Sequence, residues 1–278
     1  MSSEPVVVLE VDDSVAVVTL NRPNDLNMFS GAMARLLSVA YRECDERDDV
    51  RVVVVTGAGR AFCGGADMRP QSASFGPVRG GFSAQPIDPP AWEVRKPVIA
   101  AINGHAIGIG FTLAMQCDVR IVALEAKLAI PQVRRGVLGD GGSHWTLCHA
   151  ASQAVAADLL LTGRTFLGSE AVRLGLASRA VPADDVLSTA LQMATDIAVN
   201  CSPVSLAMSK RLLWMDPPLP ATVALETAYH QVVMGGADAA EGPRAWMERR
   251  TPRWEATVNA WWERVLGAEV AATDKPSE

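Results

Sequence analysis

Apolar and polar positions change period several times along the chain, and each change marks an element. Val6–Glu10 and Val15–Leu20 read as a strand pair around an Asp12-Asp13-Ser14 turn. Met33, Leu36, Leu37, Ala40, Tyr41 and Cys44 then recur at three- and four-residue spacing, which predicts a helix. Val52–Thr56 is a β-branched run without alternation, the pattern of a strand covered on both faces. A glycine-bearing segment, Gly57–Asp67, follows. Residues 69–92 lose all periodicity and are rich in Gly, Pro and Ser, so they predict a long loop of the functional or mobile kind. Order resumes with a strand at Val98–Asn103, a glycine turn, a helix from about Gly110 to Gln116, and a strand at Val119–Leu124. Alternation of this sort predicts an α/β fold with layered packing.

From about residue 183 the pattern is helical throughout. Val186, Leu187, Ala190, Leu191, Ala194 and Ile197 form one stripe. Ser202-Pro203 reads as an N-cap followed by proline in the first helical position, and Asp216-Pro217-Pro218 stops that helix. Two more helical patterns follow, near 220–234 and 237–250. Trp246, Trp254, Trp261 and Trp262 lie in this region, and aromatic residues on an outer helical layer call for a covering subunit. An oligomer is therefore expected.

Composition narrows the functional classes. The 278 residues suit two ordinary domains or one large α/β domain, and 49% of them are hydrophobic, enough for a substantial core. A net charge of −6 argues against a general nucleic-acid binder, which needs a basic face. Five scattered cysteines (Cys44, Cys63, Cys117, Cys148, Cys201) show neither a disulfide framework nor metal-ligand spacing, so no metal and a reducing, cytoplasmic setting are expected. The N-terminal segment lacks the basic and apolar regions of a signal peptide. Pro97–Cys117 carries no formal charge, but Asn103, His105, Gln116 and three glycines fit a buried strand–turn–helix rather than a membrane span.

Chemistry points to two segments that share a strand, a glycine-rich turn and a helix start: VVVVTGAGRAFCGGADM (52–68) and VIAAINGHAIGIGFTLAMQCD (98–118). Glycines let a backbone approach a ligand closely, and the first amides of a helix have no intrahelical acceptor. Two such donors aimed at one point stabilise a carbonyl oxygen that gains charge during reaction. Taken alone, each segment reads more readily as an ordinary tight turn than as a ligand site. GxxxxGK[ST] and a proper GxGxxG in the first segment are both missing, which disfavours nucleotide-binding readings.

Asn21-Arg22-Pro23, TGAGRAFCGGAD, KPVIAAINGHAIGIG, LTGR at 161–164 and AEGPRAWMERRTPRW at 240–254 occur in that order, and together they resemble the crotonase, or enoyl-CoA hydratase/isomerase, superfamily. The resemblance covers about residues 6–255. It implies a spiral of ββα turns, residues 1–200, holding a coenzyme A thioester site, and a C-terminal helical trimerisation region, 201–278. A homotrimer or a dimer of trimers is implied, with an acyl-CoA or enoyl-CoA as substrate and no cofactor beyond the coenzyme A that the substrate carries.

By position, the resemblance puts one oxyanion donor at Ala66, after Gly65, and the other at Ile109, between Gly108 and Gly110. The family usually has glycine at this second place; Ile keeps the donor but is β-branched and restricts φ. Backbone contacts to coenzyme A fall near Leu26 and near Ala66–Met68, and Asn24 stands where relatives often carry a basic residue. The two hydratase glutamates are replaced by Thr112 and Gln132, neither of which titrates in the working range. Ordinary hydratase turnover should therefore be impaired. Asp140, eight residues after Gln132, matches the acid/base aspartate of some isomerases in the superfamily, in a loop one residue shorter than in many relatives. It also reads as a glycine-flanked turn residue.

Other residues read as structural: His105 and His144 as non-catalytic, Cys63 as a packed side chain, Asp67 as a brace for the oxyanion turn, Arg134-Arg135 as a solvated edge. Lys210 and Arg211 are candidates for the nucleotide end of coenzyme A, and the 69–92 loop for the border of the acyl pocket, ordered by ligand. Two functions stand: catalysis on an enoyl-CoA, favoured by Asp140, and acyl-CoA binding without turnover, favoured by Thr112 and Gln132.

Overall fold

The structure is a computed structural model that describes residues 5–69 and 83–273. Two sheets lie at its centre. The larger has six strands in the order β1 (Val7–Asp12), β2 (Val15–Leu20), β3 (Val52–Gly57), β5 (Val98–Ile102), β7 (Val119–Ala123) and β10 (Arg179–Val181). Its strands are parallel apart from the β1–β2 hairpin, whose register pairs Val7 with Leu20 and Asp12 with Val15. The smaller sheet orders β4 (Ala61–Cys63), β6 (His105–Ile107), β8 (Lys127–Ala129) and β9 (Thr165–Leu167).

The chain climbs between the sheets in repeating steps. β3 leads to β4, β5 to β6 and then α2 (Ile109–Met115), and β7 to β8, each step leaving the larger sheet for the smaller. This is the expected spiral of ββα turns. The run Val52–Val55 is buried because the larger sheet is sandwiched: α6 (Val186–Asn200) packs against β3, β5 and β7, while β4 closes on β3. Each such side chain contributes about 1.5–3 kcal/mol by leaving water. α1 (Gly31–Glu46), capped by Ser30 accepting from Met33 N, lays Met33, Leu37, Tyr41 and Cys44 against the β1–β2 hairpin. Lys96 closes the far end of α1 by donating to the carbonyls of Cys44, Asp45 and Arg47, and burial pulls its amine down to about 8.

Two details depart from the sequence reading. The segment 52–68 does not run from turn into helix: β4 forms inside the glycine-rich string, and no helix starts before the described residues pause at Arg69. Ser202 sits at the N-cap of α7 (Pro203–Met215), but its hydroxyl donates to Asp238 instead of capping. Of the expected loop 69–92, residues 70–82 lie outside the described residues, and 83–92 hold neither helix nor strand.

Helices α3 (Ser143–Ala150), α4 (Gln153–Thr162) and α5 (Gly168–Arg173) pack at the end of the spiral. Of the last helices, α7, α8 (Leu219–Val233) and α10 (Val258–Thr273) share a small cluster of Val204, Met208, Tyr229 and Val265, to which α9 (Ala237–Glu248) adds no residue. Trp246 on α9 is 86% exposed. A stack of indoles ties α3 and α7 to the 83–97 segment: Trp145 and Trp214 are 5.6 Å apart and Trp92 lies 5.6 Å from Trp214.

Candidate active site

Backbone builds one half of the site. Asn27, fully buried with φ 53°, donates to the carbonyls of Ala58 (2.9 Å) and Ala61 (2.7 Å) and accepts from Arg22 N (2.7 Å). It thereby fastens the 22–29 segment to the turn between β3 and β4. Gly64 N donates to Leu26 O at 2.8 Å, and Phe29 pairs with the strand beyond β4 by donating to Gly65 O and accepting from Asp67 N. In such a parallel bridge the residue between the two partners directs its own N–H to the opposite edge. Ala66 is that residue.

The opposite edge meets the second turn. Gly65 has φ +101°, and a Cβ there would stand 2.9 Å from the carbonyl oxygen of Ile107. A Cβ on Gly110 would overlap the Cys63 carbonyl. Hence the two turns touch backbone to backbone, and only glycine allows it. Gly108 turns with φ +56° into α2, so Ile109 N is among the first amides of the helix, without an acceptor inside it. The residues assigned as oxyanion donors thus sit on two abutting turns, with Leu26 beside Gly64 and Met68, 57% exposed, just beyond.

Side chains build the other half, and three substituted or singled-out positions come together. Asp140 Oδ1 accepts from Thr112 Oγ1 at 2.9 Å and from Gln132 Nε2 at 3.3 Å. Thr112 is fully buried on α2, and Gln132 begins the 3-10 turn Gln132–Arg135 with its side chain against Gly108. Burial raises the Asp140 carboxyl above its ordinary range, and the two donors hold that rise in check. Thr112 Oγ1 also lies 3.1 Å from Ile109 O, so its single hydrogen has two acceptors to serve. A proton on Asp140 Oδ1, donated to Thr112, would let Thr112 donate onward to Ile109 O.

Lys210 is a correction. Its ammonium is buried, donates to Ala91 O (2.8 Å) and Lys96 O (2.9 Å), and pairs with Asp118 at 2.8 Å. An ammonium saturated by three oxygens inside the protein has nothing left for a phosphate. Arg211 likewise pairs with Glu269. Asp67 lies under the Arg69 guanidinium, which holds its carboxyl down to about 2, so it braces the turn as an ionised group. Burial pushes the Cys63 thiol up to about 11. His105 accepts from Lys127 N through Nδ1 (3.1 Å), and His144, Arg134 and Arg135 are exposed.

Asn27 was not singled out from the sequence, and Gln116 only as a polar residue of a buried segment, with no role at the site. Gln116, fully buried one helical turn beyond Thr112, donates from Nε2 to Gly141 O and to Gln85 Oε1, both at 3.0 Å. The available signal was a second uncharged polar residue, one turn after Thr112, on a mostly apolar helix.

A family model described as enoyl-CoA hydratase/isomerase matches residues 10–257. The chain belongs to the enoyl-CoA hydratase/isomerase family. This family member is 34% identical to a probable enoyl-CoA hydratase of Mycobacterium tuberculosis over 258 residues, 89% of this chain and 97% of the relative. It is 35% identical to the (E)-benzylidenesuccinyl-CoA hydratase of Thauera aromatica over 251 residues, 88% of this chain and 97% of that one. Among solved structures, a probable enoyl-CoA hydratase/isomerase from Mycobacterium abscessus superposes with a TM-score of 0.87 at 49% identity, covering 90% of this chain and 98% of its own. The crotonase-like spiral and the C-terminal helices fit these enoyl-CoA hydratase/isomerase neighbours. Among the described residues, no helix is long and apolar enough to cross a membrane.

Proposed function

We propose that the protein acts on an acyl-CoA thioester, with Asp140 as its acid/base group and double-bond isomerisation as its main reaction. The amides of Ala66 and Ile109 converge on the thioester oxygen, and Leu26, Gly65, Met68, Gly108 and Gly110 border the coenzyme A and thioester portion. Asp140 takes a proton from C2 of a 3-enoyl thioester. The electron pair moves onto the thioester oxygen, and the proton returns at C4 as the double bond settles between C2 and C3. Hydration is the weaker reaction. The observation that carries this reading is the half-buried Asp140, its ionisation displaced upward, held by Thr112 and Gln132 where hydratases keep glutamates. No cofactor is needed beyond the substrate's own coenzyme A. Exposed Trp246 and Met247 on α9 favour a homotrimer or dimer of trimers, and the cytoplasm suits five free cysteines.

The test mixes purified protein with 2-enoyl-CoA and 3-enoyl-CoA thioesters. Interconversion that disappears in Asp140→Asn supports the isomerase; hydration at rates ordinary for the family would overturn it. A second reading, acyl-CoA binding without turnover, is favoured by the non-titrating Thr112 and Gln132. Tight binding of both thioesters with neither converted would select it.

A further inference from the structure

Buried polar atoms without partners are concentrated in one place. Among the described residues, Gln116 Oε1, Gln132 Oε1, Ser143 Oγ and Thr146 Oγ1 are buried side-chain oxygens with no hydrogen-bond partner. All four lie on the three segments that surround Asp140: α2, the turn at 132 and the first turns of α3. Ser143 and Thr146 share one face of α3 by their three-residue spacing. Such groups are costly to leave unpaired, and a native interior keeps few of them.

Gln116 is the most informative. Its Nε2 stands 3.0 Å from the carbonyl of Gly141, which can only accept, so the orientation of the amide is fixed and Oε1 is the atom left over. The side chain is fully buried, and it lies on the same face of α2 as Thr112, four residues earlier. Gly141 is held in turn by Ala84 O, which accepts from its amide at 2.9 Å. An acceptor in such a setting is served by a buried water or by a donor that the ligand brings. A hydrocarbon chain brings none.

We infer that the acyl group taken at this site carries a hydroxyl, which donates to Gln116 Oε1. This deepens the proposed acyl-CoA function and rests on it. α2 rises about 1.5 Å per residue, so Gln116 lies roughly 10 Å along the axis from Ile109, shortened by the lean of side chains toward the helix N-terminus. The hydroxyl therefore belongs several carbons beyond the thioester, away from the reacting C2–C4 segment.

The experiment is titration calorimetry of the full-length protein with three saturated probes: hexanoyl-CoA, 5-hydroxyhexanoyl-CoA and 6-hydroxyhexanoyl-CoA. One of the hydroxylated probes should bind roughly tenfold more tightly than hexanoyl-CoA, and Gln116→Met should erase that advantage. Equal or tighter binding of hexanoyl-CoA means that water alone fills the orphaned positions and overturns the inference, with the acyl-CoA reading intact. A preference that survives in Gln116→Met overturns the role of Gln116. Failure of all three probes to bind sinks the acyl-CoA reading itself. Because the wild-type preference decides the matter, the inference remains testable even if the variant folds poorly.

Discussion

The two halves of the site are made of different material. The Ala66–Ile109 half consists of backbone, fixed by glycines that admit no Cβ; the Asp140 half consists of side chains that meet through three hydrogen-bonding groups. Steric exclusion fixes the first, so its glycines cannot be exchanged without moving two turns. Polarity and burial tune the second, where a side chain can be exchanged without moving either turn. On the proposed function, the backbone half stabilises the oxyanion and the side-chain half decides the proton transfer.

Asp140→Asn should break the side-chain half most severely, lowering isomerisation by about 10²–10⁴ in steady-state assays with the fold intact by circular dichroism. The same variant should be more stable than the parent, by a margin that grows with pH. With the folded-state carboxyl raised, the native protein binds the proton more tightly than the unfolded chain. Ionising Asp140 therefore costs stability as pH climbs from the ordinary carboxylate range through the raised value. Thermal melts at pH 4 and pH 7 measure it, and a margin larger at pH 4 would contradict the sign.

Gly110→Ala tests the backbone half. Its methyl meets the Cys63 carbonyl, so the turns must part, and kcat/KM should fall about 10²–10³, equivalent to about 2.7–4 kcal/mol of oxyanion stabilisation. Gln132→Glu acts more gently. It sets two carboxyls within sharing distance of one proton, so the pH–rate profile should acquire an additional ionisation well above the carboxylate range, with less than about tenfold change at the optimum. Lys210→Met should affect the site least, leaving acyl-CoA affinity unchanged in calorimetry. The uncompensated Asp118 should nevertheless cost about 3–5 kcal/mol in denaturant unfolding.

The strands of the larger sheet were legible because a strand covered on both faces needs an unbroken apolar run, as Val52–Val55 and Val98–Ile102 supply. β4 was hidden: three residues within a glycine-rich string are too short for any period to show. Lys210 was misread because a lysine on a helix looks solvent-facing until its partner, Asp118 on a distant strand start, is placed beside it. Thr112, Gln132 and Asp140 came from the resemblance, since residues at such separations meet only in three dimensions. Gln116 was legible only as a polar residue of a buried segment, because a neutral amide carries no charge pattern that assigns it a partner.

The indole stack has a practical consequence. Trp92 reaches the Asp140 loop, since a Cβ on Gly142 would lie 3.1 Å from its ring, and the same indole leads on to Trp214 and Trp145. Chromophores this close share their excited states, which makes the trio an optical gauge built into the protein. A ligand that shifts the 140–143 loop should alter the near-ultraviolet dichroism and the emission colour together, giving a label-free readout of occupancy.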